Sequence, residues 1–232
     1  MTSALSIRVE GVTKHYRAGG STVRAVDGID LEIEAGSNVA IVGPSGCGKS
    51  TLLGLLGGLE RPSHGRIWLD GFEISAMAET DRARVRRESI GFVFQSYDLL
   101  PFLTARENVE FQLALNGRAD AGERSDELVD RLGLTDHAAK LPDQLSGGQR
   151  QRVGIARALA HAPRLILGDE PTGELDSATS ANVLALMLEA REATGATLVV
   201  VTHDSEVAGR MDRVITLRDG KVVGDHRRGE EA

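Results

Sequence analysis

Residues 43–51 read GPSGCGKST and match the phosphate-binding loop pattern G-x-x-x-x-G-K-[ST] at every fixed position. The apolar run 39–42 precedes the loop as a short buried strand, and the run 50–56 follows it as a helix. The glycines allow tight turns in which successive N–H groups face an anion, and the helix adds its positive N-terminal end. A purely structural turn would explain neither Lys49 nor Ser50. The stretch therefore predicts a site for a nucleoside triphosphate.

Every residue of this loop is a candidate for cofactor binding: Gly43, Pro44, Ser45, Gly46, Cys47, Gly48, Lys49, Ser50 and Thr51. Lys49 is expected to reach the terminal phosphates and to act in catalysis, and Ser50 to hold Mg²⁺. Cys47 stands at a variable position, where a small residue that fits is a better interpretation than a redox switch. The loop predicts that the ligand is a nucleoside triphosphate, but it does not indicate which process the hydrolysis of that ligand drives.

The composition indicates an intracellular protein with a large core. The chain has 232 residues, 41% of them hydrophobic, and a formal net charge of −7, which argues against a general nucleic-acid binder. Its single cysteine excludes an internal disulfide framework. We find no apolar run of membrane-spanning length and no signal-peptide pattern in the first ten residues, and we expect a cytoplasmic protein that another chain would anchor to any membrane.

Four arginines follow one another closely in a predicted helix over residues 79–88. Glu79, Asp81 and Glu88 are interleaved with them, which favours a solvated helix face over a nucleic-acid patch. We therefore expect no nucleic-acid partner.

The order of the predicted elements indicates one domain, 1–232, built from three parts. Strands over 7–16 and 23–33 come before the loop and suggest an antiparallel β layer. Residues 96–163 read as an inserted helical subdomain, in which Thr104 and Glu107 could form a capping box. Strands alternating with helices predict a mainly parallel sheet, which binds ligands at the carboxyl ends of its strands. The core and β layer would then comprise 1–95 and 164–224, and 225–232 reads as a disordered tail.

Residues 165–170, LILGDE, read as a buried strand followed by two carboxylates. We expect this strand to pair beside the loop strand, with Asp169 holding Mg²⁺ directly or through water. Glu170 would face the terminal phosphate and act as general base toward the attacking water. A solvated acidic pair is the alternative, and the upstream loop and Pro171 favour the catalytic interpretation.

Two further polar residues end strands at the same sheet edge. His203 follows the β-branched run 197–201 and could bond a γ-phosphate oxygen and orient water and base. Gln95 follows the run 90–94, and its amide could bind Mg²⁺ and contact water. Taken alone, each would more readily be a surface residue.

Residues 145–152, LSGGQRQR, predict a second phosphate site. Ser146 begins a helix whose third residue is Gln149, so that the two could form a capping box. Gly147 and Gly148 each cost about 1 kcal/mol in a helix against Ala and would let a ligand approach the exposed N–H groups. One nucleotide does not need both sites from one chain. A head-to-tail homodimer would use both, with each nucleotide between the loop of one subunit and this helix of the other.

With these motifs in this order, the chain resembles the ATP-binding cassette (ABC) ATPases over nearly its whole length. The resemblance implies a P-loop NTPase (RecA-like) core with an antiparallel β subdomain and an inserted α-helical subdomain, ATP and Mg²⁺ as cofactors, and hydrolysis of ATP. It also implies that Tyr16 stacks on adenine and that Asp176 lies in a loop crossing the dimer interface.

Residues 90–111, IGFVFQSYDLLPFLTARENVEF, are similar to cassettes of the macrolide-exporter and lipoprotein-release type (MacB and LolD). Glu174 and Gly168 depart from that type's usual Asn and Ala. The resemblance implies a permease partner of the FtsX, MacB or LolC kind, contacted around 95–102, and a peripheral position on the inner face of the membrane. Export, lipoprotein release and mechanotransmission stay open. A soluble ABC ATPase of DNA repair or translation and a P-loop kinase are the alternatives.

Overall fold

The structure is a computed structural model that describes residues 4–18, 21–173 and 177–229. Its strands are β1 Ile7–Ala18, β2 Ser21–Ile33, β3 Asn38–Val42, β4 His64–Leu69, β5 Phe72–Glu73, β6 Ile90–Phe94, β7 Leu165–Asp169, β8 Thr197–Thr202, β9 Arg213–Arg218 and β10 Lys221–Arg227. Its α-helices are α1 Lys49–Leu56, α2 Glu79–Ser89, α3 Ala105–Leu115, α4 Ala121–Arg131, α5 Gly147–Leu159, α6 Ser177–Thr194 and α7 Ser205–Gly209.

Two sheets organise these elements. One is antiparallel with the order β2-β1-β4-β5, and the other has the order β10-β9-β3-β8-β7-β6. In the second sheet every pair from β9 to β6 is parallel, and only the β9–β10 hairpin is antiparallel. The prediction of a mainly parallel sheet beside an antiparallel layer is confirmed.

The alternation of side chains along the central strands creates two apolar faces. Leu165 and Leu167 face a core that includes α1 and strands of the antiparallel sheet, whereas Ile166 faces a second core with α6 and α7. Helix α1, with its four leucines buried, therefore lies between the two sheets. This packing fixes the start of α1 at the carboxyl edge of β3.

Between β6 and β7 the described chain is helical, as predicted. Helices α3, α4 and α5 share a third apolar core, centred on Val109, Leu113 and Val153. Thr104 caps α3 in a reciprocal capping box with Glu107, which confirms that prediction.

Three expectations about the fold were wrong. β8 lies between β3 and β7, so the strand of Asp169 does not pair with the loop strand. Neighbour order in a sheet is set by the crossover connections, and α6 joins β7 to β8 as adjacent strands. The expected solvated face of α2 holds for the exposed Arg84 and Arg87 and is wrong for Arg82, which is buried in an ion pair with Glu79.

The third wrong expectation concerns the end of the chain, where residues 225–227 belong to β10 and are not a tail. The carboxylate of Asp225 accepts two hydrogen bonds from the Arg213 guanidinium, at 2.7 and 2.6 Å. The backbone hydrogen bonds to β9 and the Arg213–Asp225 ion pair hold these charged residues in the edge strand. The pattern of hydrophobic residues in the sequence does not predict either interaction.

Candidate nucleotide-binding site

Gly43 and Gly48 lie so close to neighbouring backbone atoms that a side chain would clash there. Gly48 precedes α1 with φ 104°, and a Cβ added there would lie 2.0 Å from the carbonyl oxygen of Ala25. A Cβ at Gly43 would lie 2.2 Å from the carbonyl oxygen of Leu217. The backbones of strands β2 and β9 therefore pack directly against the loop, and only glycine fits at these two positions.

Lys49 begins α1 and is folded back over the loop. Its Nζ donates to the carbonyl oxygens of Gly43 at 2.9 Å and Pro44 at 3.1 Å, and the residue is 8% exposed. The ammonium group is thereby held at the concave side of the loop, where an anion would contact it.

A cavity of about 590 Å³ opens at this loop, and residues from five separate parts of the chain line it. They are Ala25, Ser45, Gly46, Gly48, Lys49, Ser50, Thr51, Gln95, Glu170 and His203. The structure thus brings together the loop and the residues that follow β6, β7 and β8, as expected for the carboxyl edge of a parallel sheet. Ala25 was not among the sequence candidates; only its close approach to Gly48 in three dimensions identifies it.

Ser50 and Asp169 meet although their strands are not adjacent. Ser50 Oγ donates to Asp169 Oδ1 at 2.9 Å, because α1 passes over both β8 and β7. Burial raises the pKa of Asp169, assisted by the charge of Glu170, while the Ser50 hydrogen bond and Lys49 oppose that rise. The Ser50 hydroxyl, the half-buried Asp169 carboxylate and the Gln95 amide, which lines the same cavity as Ser50, offer hard oxygen ligands of the kind that Mg²⁺ prefers.

Glu170 and His203 form the second polar pair of the cavity. Glu170 Oε2 lies 3.0 Å from His203 Nδ1 and accepts the backbone N–H of His203 at 3.3 Å. The backbone of Glu170 has a positive φ of 44°, fixed by its N–H bond to the carbonyl of Val201. Such sparsely populated backbone conformations cluster at functional sites.

Tyr16 does not line the cavity. Its hydroxyl donates to the Glu60 carboxylate at 2.7 Å, and the Lys14 ammonium lies 5.2 Å from the centre of its ring. Burial and Glu60 raise the pKa of Tyr16, and a hydrogen bond from Thr51 lowers it, so the ring stands beside the last residue of the loop. Its stacking on adenine stays a prediction.

The segment 146–149 forms the predicted helix start. Ser146 Oγ accepts the N–H of Gln149, and Gln149 Oε1 accepts the N–H of Ser146, so the capping box of α5 is present. As far as the described residues go, none of Ser146, Gly147, Gly148 and Gln149 lines the loop cavity. Asp176 and Glu174 lie outside the described residues.

Sequence reasoning missed a contact between the Gln95 loop and α5. Tyr97 and Asp98 both have positive φ, 63° and 45°, and their carbonyl oxygens accept hydrogen bonds from the Arg157 guanidinium. The Arg150 guanidinium lies 5.4 Å from the centre of the Tyr97 ring. Burial lowers the pKa of Arg157, against the charge of Asp98. Non-glycine residues in this backbone region give no local sequence signal, so the strained turn could not be predicted.

In the described part of the chain, no helix combines the length and apolar character needed to cross a bilayer.

The fold and the site together define a P-loop NTPase cassette, and the comparisons with known proteins identify its family. The family model described as "ABC transporter" matches residues 26–173. The chain therefore belongs to the ABC transporter family, and its fold is that of an ABC ATPase.

Curated relatives refine this assignment. The chain is 48% identical to the lipoprotein-releasing system ATP-binding protein LolD of Legionella pneumophila (strain Paris), over 90% of this chain and 93% of that protein. It is 46% identical to the macrolide export ATP-binding/permease protein MacB of Agrobacterium fabrum, over 98% of this chain but 35% of that protein. The chain thus spans about a third of the length of the MacB relatives. These names lend no support to a role in DNA repair or translation, or to a kinase.

The solved structure of the ATP-binding cassette MJ0796, a dimer in a post-hydrolysis state bound to ADP and Pi, superposes with a TM-score of 0.92. It is 41% identical to this chain and covers 97% of it. The similarity extends to the whole of that chain and includes the complete cassette fold.

Proposed function

We propose that the chain is the ATP-hydrolysing subunit of an ABC-type membrane complex, in which ATP binding closes a homodimer and hydrolysis reopens it. The observation that carries the proposal is the separation of two phosphate-binding groups within one chain. The loop at Lys49 lines the cavity, whereas the exposed N-terminal end of α5 does not. A second copy, arranged head to tail, supplies the missing helix end. The dimeric MJ0796 cassette supports this arrangement.

The chemistry is divided among the residues of the cavity. Lys49 and the loop N–H groups bind the phosphates, and Ser50, Asp169 and Gln95 hold Mg²⁺, which would neutralise charge on the phosphate oxygens. Glu170 takes a proton from the attacking water, with its carboxylate oriented by His203. Tyr16 contacts the base.

Ser146, Gly147, Gly148 and Gln149 contact the terminal phosphate of the ATP held by the other subunit. The Ser146 hydroxyl, the free N–H groups of the first turn and the helix dipole supply the attraction for the anion. Closure of the dimer therefore depends on the triphosphate, which links the chemical state of the nucleotide to the shape of the complex.

A permease of the FtsX, MacB or LolC kind would contact a groove of about 290 Å³ between α2, β6 and α3. Leu59, Phe94, Leu100 and Phe111 give it an apolar lining, and it adjoins the loop that begins at Gln95. Phe102, on the same loop, is 73% exposed. Such exposed apolar surface suits a helix of a membrane partner. The chain would then lie on the cytoplasmic face of the membrane, and export, lipoprotein release and mechanotransmission are the alternatives for its work.

The proposed division of labour follows two parts: the core with its β layer (1–95 and 164–224) binds nucleotide through the loop, and the helical part (96–163) presents α5 to the partner subunit. Within the helical part, the contact of Arg157 with Tyr97 and Asp98 holds the loop that follows Gln95 against α5.

Phosphate release from Mg·ATP, with no acceptor molecule present, tests the enzymatic part. The wild-type chain should release phosphate at a constant rate and Lys49→Ala should not, while Lys221→Ala, at an exposed residue of β10, should match wild type. No release by the wild-type chain would contradict ATP hydrolysis and favour an acceptor-dependent reaction.

Co-purification with a co-expressed permease of the FtsX, MacB or LolC kind tests the partner. Phe111→Glu should abolish co-purification because it places a charge in the groove. Phe72→Glu, at an exposed phenylalanine of the antiparallel sheet, is the matched control. Equal recovery with both variants would contradict the groove as the contact.

A further inference from the structure

The side chain of Gln149 is held at both ends of its amide group. Its Oε1 accepts the N–H of Ser146 at 2.9 Å, and its Nε2 lies 2.8 Å from Nε2 of His137. His137 ends a 3₁₀ turn, Thr135–His137, between α4 and α5. A residue outside the LSGGQ motif therefore contacts the motif's own glutamine.

The two contacts determine the proton positions. An amide NH₂ group can only donate, so His137 Nε2 must accept and the ring proton must reside on Nδ1. Nδ1 is buried and, among the described residues, has no hydrogen-bond partner. Turning the Gln149 amide over would set its NH₂ group against the Ser146 N–H and would break the capping bond. The Ser146 N–H thus selects the amide orientation that caps α5, and the bond to His137 holds the amide in that orientation.

The orientation matters because Gln149 completes the start of α5. With both bonds made, the backbone N–H of Ser146 and that of Gln149 are used within the capping box. The N–H groups of Gly147 and Gly148 then stay available at the end of the helix dipole. Freed from His137, the Gln149 side chain could rotate across this surface, and the first turn of α5 would fray.

We infer that His137 is a positioning residue, which holds Gln149 so that the N-terminal end of α5 is ready to receive the ATP of the partner subunit. The inference rests on the proposed function, since it assumes that this helix end acts across a dimer. His137 acts through Gln149 and contacts no nucleotide itself.

The test measures the ATP concentration that half-converts the chain to dimer, by gel filtration in the Glu170→Gln background. His137→Phe removes the acceptor at similar volume and should raise this concentration about fivefold, as expected for the loss of one neutral hydrogen bond. His137→Gln restores an acceptor at a similar reach and should return the value toward that of the parent. His137→Leu repeats the loss without an aromatic ring.

A matched control comes from the other end of α5. His161 Nδ1 lies 3.5 Å from Gln112 Nε2, so His161→Phe removes a second histidine–glutamine contact away from the helix start. It should leave the ATP dependence unchanged. Binding of ADP to the monomer, which uses the loop alone, should be equal in every variant.

The outcomes separate this inference from the proposed function. A Glu170→Gln parent that stays monomeric with ATP contradicts the dimer. A parent that dimerises equally with and without His137→Phe overturns the role of His137 alone. Amide hydrogen exchange in the first turn of α5, measured without nucleotide, should be faster in His137→Phe and in His137→Leu. Unchanged exchange in both overturns the inference whether or not the parent dimerises.

Discussion

Glu170 Oε2 lies 3.0 Å from His203 Nδ1, and the backbone N–H of His203 reaches the same carboxylate oxygen. Two contacts from His203, at the end of β8, therefore converge on Oε2 of Glu170. We expect the other carboxylate oxygen, Oε1, to face the attacking water. A neutral histidine with its proton on Nδ1 donates to the carboxylate and presents Nε2 to the cavity. This pairing makes Glu170 the candidate base and His203 its orienting partner.

Glu170→Gln should slow phosphate release by about 10²–10⁴, the usual effect of removing a general base. Binding of ATP should persist, because the loop is untouched, and the unhydrolysed ATP should trap the dimer in gel filtration. An ATPase rate close to that of the wild type would show that another group activates the water.

His203→Ala should lower the rate of hydrolysis while leaving the melting temperature nearly unchanged. The side chain is 70% exposed, and substitutions at such positions usually alter stability by less than about 0.5 kcal/mol. His226→Ala, at an exposed residue of β10, should alter neither property. A loss of melting temperature equal to the loss of activity would assign His203 a structural role instead.

Asp169→Asn should stabilise the nucleotide-free chain at neutral pH. Because burial raises the pKa of Asp169, the folded state favours the protonated carboxyl, and ionisation at higher pH destabilises it. The difference in melting temperature between variant and wild type should therefore be small near the ordinary aspartate pKa of about 3.9 and grow as the pH rises through the raised pKa.

The same variant should lose the rise in melting temperature caused by Mg·ATP, because a metal ligand is gone. Asp143→Asn, at an exposed residue, is the control for both measurements. Stabilisation of the wild type and of Asp169→Asn by equal amounts with Mg·ATP would contradict the metal role.

Much of the fold and of the site could be predicted from local patterns. The loop, the carboxylates after β7 and the capping boxes of α3 and α5 each depend on residues close in sequence. Local sequence patterns therefore predicted that Lys49 and Glu170 lie at the cavity and that Thr104 caps α3.

Features that depend on distant parts of the chain could not be predicted. The position of β8 between β3 and β7 is set by crossover connections. Gly168, which departs from the usual alanine, packs so closely that an added Cβ would lie 3.1 Å from the Cε of Met187 on α6. The contact of His137 with Gln149 likewise joins two elements whose packing is tertiary.

The central claim is that each ATP is shared between the loop of one subunit and the α5 end of the other. The most direct measurement mixes two variants in the Glu170→Gln background, Lys49→Ala, which disables the loop, and Ser146→Arg, which disables the helix end. Each variant alone should remain monomeric with ATP. The mixture should form a heterodimer in gel filtration, because it contains one intact composite site. A mixture that stays monomeric, or a single variant that dimerises as the parent does, would contradict the shared site.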